Sequence, residues 1–287
     1  MKLLSYGLDH RMEPRLAFSL NGYAVDVMRA SLWMKEDRNV TDYLNLASTM
    51  TMILKDWDVS LSLLKRLEEA LLSIQPESQS IYDRPLAMPL DDIVYFAPVP
   101  DPPSIRYFDA FTDNTKRKFS FGNTQTLKGH RQGLIHPGLS CQPEIAAIVA
   151  GNKSDPELKI GGYCVVNNWV DSHLISSDSQ GLSHGKATTL GPHLVIAEDL
   201  EPLRIGRGFN LDLQVSINGD LVRESSLKEL KTSFSEMIQI ASPTRVQPGD
   251  VICSGSPLVA TNLPAMKHKD KIDIEIQGMG VLSTSID

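Results

Sequence analysis

"CQPEIAAIVAG", residues 141–151, is an apolar run opened by Gln142, Pro143 and Glu144 and closed by a glycine. Its Ile and Val residues and its short length favour a buried β-strand over a helix. One acid stands at its start, where a metal site would want two. The next strand-like stretch, "NNWVDSH" (167–173), begins with amides and holds no acid until Asp171. The pair raises a question of chemistry as well as fold: a neutralised metal site, or none.

Outward from this run the chain reads mainly as strands. Leu211, Leu213, Val215 and Ile217 alternate with Asp212, Gln214 and Ser216, and Asn218-Gly219 is a strong hairpin signal. A second Asn-Gly, at 21–22, joins strands of "RLAFSLNGYAVDV" (15–27). Leu64, Leu67 and Leu71 recur at helical spacing behind the caps Asp58 and Ser60. Ser233 and Glu236 form a capping box ahead of Met237, Ile238 and Ile240, and Pro243 stops that helix. "DKIDIEIQGMGVLSTSI" (270–286) closes with an alternating strand and a glycine-containing hairpin. Residues 1–75 read as a small α+β N-terminal domain, the Pro-, Ser- and Gln-rich 76–90 as a linker, and 91–287 as a large β-rich domain.

The 287 residues, 41% hydrophobic and 22% charged with net charge −7, give an ordinary soluble composition able to bury a large core. The acidity and the lack of any basic stripe argue against a nucleic-acid partner; "KRK" at 116–118 reads as a solvated surface. No apolar stretch approaches the ~20 residues of a membrane helix. The N-terminus turns charged too soon for a signal peptide, and Cys141, Cys164 and Cys253 lack metal spacing and read as reduced core residues. A cytoplasmic protein is expected.

Eight segments, in order, carry a resemblance to the fumarylacetoacetate hydrolase family. They are "RLAFSLNGYAVDV", "LDDIVYFAPVPDPPSIRYFDAF" (90–111), "PEIAAIVAG", "GGYCVVNNW" (161–169), "ATTLGPHLV" (187–195), "INGDLV" (217–222), "QPGDVICSGSP" (247–257) and the C-terminal stretch. The resemblance covers nearly the whole chain. It implies an α+β, mainly β fold: a mixed β-roll C-terminal domain preceded by the small α+β domain, in a homodimer. It also implies small β-dicarbonyl or 2-oxo acid substrates and a Mg²⁺ or Ca²⁺ ion held by carboxylates, which stabilises an enolate.

Position by position, the family's metal equipment is depleted. In "RYFDAFTDNT" (106–115), Tyr107 stands where the family has a ligand Asp and Asp109 where it has Tyr. Thr112 replaces an acid and Asn114 the general-base His. Gln142 replaces the first Glu of the strand motif, Glu144 keeps the second, and Asn168 replaces the last ligand Asp. Hard cations depend on ligand charge, so no metal cofactor is expected; if one binds, Glu144 and Asp109 are its ligands. Lys186, or His184 by counting back from Gly191-Pro192, falls at the family's active-site Lys, and Ser256 at its substrate-binding hydroxyl. His130, His136, Asp171 and His173 read as loop residues.

These residues predict a catalytic group of Glu144, Lys186, Asp109 and Tyr107. Ser256, Gln142, Asn168, Asn114 and His184 are the substrate-binding candidates. Desolvation should raise the Glu144 pKa and make it a usable acid or base. The leading reading is an enzyme repurposed for metal-independent keto–enol chemistry: cyclisation, isomerisation, decarboxylation or C–C cleavage. Two alternatives stand beside it: a non-catalytic binder or structural subunit, and a Mg- or Ca-dependent acylpyruvate-type hydrolase with unusual ligands.

Overall fold

The computed structural model describes residues 1–112, 119–133, 137–152, 155–171, 187–258 and 263–286. Strands β1 (Lys2–Gly7), β2 (Arg15–Leu20) and β3 (Tyr23–Asp26) precede helices α1 (Val27–Arg38), α2 (Met50–Leu54) and α3 (Trp57–Leu72). Then come β4 (Ala87–Pro89), β5 (Ile105–Phe108), β6 (Phe119–Gly122), β7 (Ser140–Asn152), β8 (Asp155–Val170) and β9 (Ala187–Ile196). The chain finishes with β10 (Asp212–Ile217), β11 (Asp220–Ser226), helix α4 (Phe234–Ala241), β12 (Val251–Cys253), β13 (Lys271–Ile276) and β14 (Gly280–Ser285).

One large mixed sheet runs β4-β3-β2-β1-β9-β8-β7-β12-β5-β6. Only β12 and β5 are parallel neighbours on that path. A four-stranded antiparallel sheet, β11-β10-β13-β14, packs against it. The architecture is mainly β, as the alternating patterns predict.

β7 lies between two cores, which explains its near-continuous apolar run. Ala146, Ile148 and Ala150 share one core with Leu54, Leu64 and Leu67 of the N-terminal helices. Ile145, Ala147 and Val149 share the other with Leu213 and Ile274 of the small sheet and Met237 of α4. β1 pairs with β9 through Lys2↔Val195 and Leu3↔Leu194, so the N-terminal strands extend the same sheet. Backbone pairing therefore crosses the sequence boundary at residue 75.

Local signals act as their chemistry dictates. Both Asn-Gly pairs take positive φ (49° and 85° at 21–22, 53° and 90° at 218–219), the geometry that lets a tight hairpin follow strand twist. Ser233 and Glu236 complete a reciprocal capping box, and α4 ends at Ala241, before Pro243. The α3 cap differs from expectation. The helix begins at Trp57, whose buried ring anchors the first turn, so Asp58 and Ser60 lie inside it. Asp58 instead binds Lys159 at 2.6 Å.

Two buried polar devices pin the sheet. Arg106 on β5 donates to Asp250 at 2.6 Å, just before β12, and both are almost fully enclosed. Asp250 also accepts from Ser104 Oγ and the Gln247 amide, each at 2.8 Å. Asp250→Ala would strand the Arg106 cation and should cost about 3–5 kcal/mol in denaturant unfolding.

His130 and His193 are the second device, where β9 meets β14. The Ser283 amide donates to His130 Nδ1 at 3.0 Å, which requires a neutral ring. Burial, then Arg131, pushes the His130 pKa down to about 3, and burial, then Lys2, pushes His193 to about 4. Both lie below an unfolded value near 6.5, so the unfolded chain binds more protons and stability is lost as pH falls below that value. Unfolding curves between pH 6.5 and 4 should show a loss of about 1.4 kcal/mol per pH unit per histidine. His130→Gln should flatten that slope.

Candidate functional site

The site is built on the pairing of β7 with β8. Gln142 faces Asn168 across the ladder and Glu144 faces Val166. Period-2 alternation puts Gln142 and Glu144 on the same face as Ala146, the face that looks toward the helical core. Asn168 also pairs with Thr188 on β9, which extends the polar row to a third strand.

Glu144 is 1% exposed. Its Oε1 accepts from Asn168 Nδ2 at 3.2 Å and its Oε2 from the Gly255 amide at 2.9 Å. The Asn168 amide also donates to Gln142 Oε1 at 3.4 Å. Burial raises the Glu144 pKa; the two N–H bonds oppose it, the Asp109 charge adds to it, and the result is about 8. At neutral pH the group is a buried acid.

Gly255 is the residue that makes this contact available. Its φ is +78°, and a Cβ there would meet the Phe108 carbonyl oxygen at 2.5 Å. Only glycine lets the chain after β12 pass between the end of β5 and Glu144. Ser254, fully buried, ties the same loop to β7 through Ser254 N to Ile145 O at 3.0 Å.

Tyr107 on β5 is buried and stands in register with Cys253 of β12. Its hydroxyl is hydrogen-bonded to Thr188 Oγ1. Burial, then the nearby Cys253 and Glu144, hold its pKa well above the usual value, so it is a neutral phenol. Asp109, two residues on, is exposed and accepts from Thr112 Oγ1 at 2.8 Å. Ser256 is buried beside Gly255, its hydroxyl accepting from the Leu258 amide at 3.2 Å.

The structure thus brings Glu144, Gln142 and Asn168 into one hydrogen-bonded group, with Tyr107 and Asp109 within electrostatic range of the carboxyl. Asn114, His184 and Lys186, like His136 and His173, lie outside the described residues. His130 is a buried structural residue at the β9–β14 seam. Sequence reasoning missed Gly255 and Thr188. The run of small residues in "CSGSP" is the signal for the first; nothing local marks Thr188, whose role depends on register with Asn168.

A mainly β protein with a lone buried acid at the start of its central strand is the class these observations define. Residues 109–287 match the family described as Fumarylacetoacetate (FAA) hydrolase C-terminal. That is more than half the chain, and the chain belongs to the fumarylacetoacetate hydrolase family. The oxaloacetate tautomerase Fahd2a, mitochondrial, of Rattus norvegicus is 22% identical, over 100% of this chain and 91% of that protein. An uncharacterized protein of Pyrococcus abyssi is 28% identical over 34% of this chain; the match spans 40% of that relative's length. Maleylpyruvate hydrolase from Sphingobium sp. SYK-6, solved with manganese(II) and pyruvate, superposes with a TM-score of 0.71 at 18% identity, covering 100% of this chain and 98% of that one. The similar proteins thus include both a hydrolase and a tautomerase. No helix among the described residues is long and apolar enough to cross a membrane.

The manganese of that neighbour invites a test of the donors here. A hard divalent cation needs several oxygen ligands, charged ones above all. Both Glu144 oxygens face N–H donors, and Asn168 presents its NH₂ group to the carboxyl and to Gln142. Among the described residues no three His, Cys, Asp or Glu side chains cluster to hold an ion. The described donor set does not fit such a cation.

Glu144 also sets a pH dependence of stability. Its folded pKa of about 8 exceeds the ordinary 4.5, so stability is full below 4.5 and is lost as pH rises through 8. Glu144→Gln removes the titration and keeps the shape. Chemical denaturation at pH 5, 7 and 9 should show the variant gaining on the parent as pH rises, by up to about 1.4 kcal/mol per unit.

Proposed function

We propose that this chain is an enzyme of keto–enol chemistry on a small β-dicarbonyl or 2-oxo acid, working through Glu144 without a divalent cation. The observation that carries the reading is the enclosed carboxyl flanked by N–H donors. An acid whose pKa lies near the working pH is an efficient proton carrier. Asp109, exposed just beyond β5, lies near enough for its charge to act on Glu144 and is the second carboxyl of the site.

In the step proposed, a bound enol receives the Glu144 proton on carbon while its hydroxyl proton passes to Asp109. The C=C electron pair becomes the new C–H bond, and the O–H pair becomes the carbonyl. Nothing is oxidised or reduced. The Asn168 and Gln142 amides would hydrogen-bond the substrate oxygens, and Ser256 its carboxylate. The tautomerase among the relatives supports oxaloacetate as the first substrate to try.

The test is deuterium exchange at C3 of oxaloacetate and pyruvate in D₂O, followed by NMR, with protein treated with EDTA and then with or without Mn²⁺ or Mg²⁺. Exchange should survive EDTA and gain nothing from added metal. Its kcat/KM should fall as pH rises past about 8, where Glu144 loses its proton. Glu144→Gln should lower the rate by ~10²-fold or more and abolish that break. Exchange that needs the metal would establish the hydrolase-type alternative. Saturable binding of the acid with no exchange would establish the non-catalytic binder.

A further inference from the structure

One stretch of chain bridges the two sheets with almost no apolar anchor. Leu127 and Lys128 pair in parallel with Thr188 and Thr189 at the start of β9, in the large sheet. A few residues on, the chain grips β14, the edge strand of the small sheet. The Arg131 amide donates to the Ser283 carbonyl at 2.8 Å, and the Ser283 amide donates to His130 Nδ1 at 3.0 Å. Among residues 121–133 only Gly129 and His130 are buried. Gly129 contributes backbone alone, pressed so close to residues 96–97 that a Cβ would meet the Phe96 carbonyl carbon at 2.5 Å. His130 is therefore the one side chain that this strap buries to hold itself down.

An imidazole is a conditional anchor. Neutral, its Nδ1 accepts the Ser283 N–H; protonated, the same atom becomes a donor and two N–H groups face each other. The surroundings give the cation little relief. Arg131 beside it, His193 of β9 and Lys271 of β13 all disfavour a charge there, and Lys2 of β1 acts on His193 in the same sense. Asp273 of β13 opposes them, but it is already paired with Lys271 at 3.0 Å. The Tyr95 ring packs against the imidazole at a centroid distance of 4.6 Å and offers no charge. The other side-chain ties are few. Gln132 Nε2 donates to the Tyr95 carbonyl at 2.9 Å, and Arg131 meets the exposed Asp91 at 2.8 Å, a surface pair that contributes little.

We propose that residues 127–132 are an acid-released strap, closed across the two sheets at neutral pH by the bond between Ser283 and His130 and opened locally when that imidazole takes a proton. Opening leaves the pairing of β7 with β8 intact and removes the strap from Thr188 and Thr189. β1 does not cover those two positions, because it pairs with β9 only at Leu194 and Val195. The freed edge adjoins Thr188, whose hydroxyl holds Tyr107. The device works whether or not Glu144 is catalytic.

The test is hydrogen exchange of the full chain at pH 7.5 and 5.0, read residue by residue by NMR and expressed as protection relative to the unstructured rate. Release of one histidine to an ordinary value near 6.5 should lower the protection of the Arg131 and Ser283 amides about 30-fold between the two conditions. Because the opening is local, both should exchange well ahead of the core Val149 amide, which donates to the Asp250 carbonyl, at each pH. His130→Asn, whose Oδ1 takes the place of Nδ1 and does not titrate, should keep the strap protected in both conditions. His193→Gln should still show the fall. Strap amides no less protected than Val149 would mean that the strap opens only on global unfolding, and that overturns the proposal. So does unchanged protection in the wild type, or a fall that survives in His130→Asn and vanishes in His193→Gln. If His130→Asn does not fold, the contrast between strap and core amides in the wild type decides alone.

Discussion

The middle of the strand pair β7–β8 is enclosed on both faces, and the rest of the molecule answers to that enclosure. Little water reaches that stretch, so a polar side chain buried there, such as Glu144 or Asn168, must find a partner within the protein or stay uncharged. For Glu144 the contest is visible. Two N–H donors favour its ionised form, yet their combined effect is smaller than the desolvation of the carboxylate. A third donor or a nearby cation would reverse the outcome; the two present leave a carboxyl balanced near neutrality. That balance is as much a property of the small-sheet and helical cores, which exclude water, as of the residues in contact.

The amides beside it follow from the same constraint. Gln142, Asn168 and Glu144 have nearly the shape of three carboxylates in a row, and three carboxylates without an ion would repel one another at low dielectric. Replacing two by amides keeps the volume and the acceptor oxygens while supplying N–H donors that a carboxylate lacks. The result is a hydrogen-bonded chain in which the Asn168 amide donates to both Glu144 and Gln142.

Much of this was legible in the sequence, and for physical reasons. The Asn-Gly turns, the Ser233–Glu236 box and the alternation over 211–217 are local signals, and the structure realises each locally. The rise in the Glu144 pKa follows from placing an acid in an apolar run. Contacts that join distant segments were not legible. The Tyr107–Thr188 bond spans 81 positions and the Gly255 amide reaches Glu144 across 111. Such pairs depend on strand order and curl, which no local pattern encodes. The true start of α3 was missed because burial of Trp57, a tertiary effect, outweighs the capping preference of Asp58.

The N-terminal strands bear on the site through this same strand order. β9 carries Thr188 near its start and pairs with β8 on one side and with β1 on the other, through Leu194 and Val195. β1 in turn is held by β2 and β3, and α1 to α3 cover Ala146 and Cys164 on the face that bears Glu144. Removing that cover would let water reach the back of β7 and β8. Hydration favours the charged form of a carboxyl, so the acid would return toward its ordinary pKa even with every hydrogen-bond partner still in place. The helical layer is thus part of what excludes water from the face that bears Glu144.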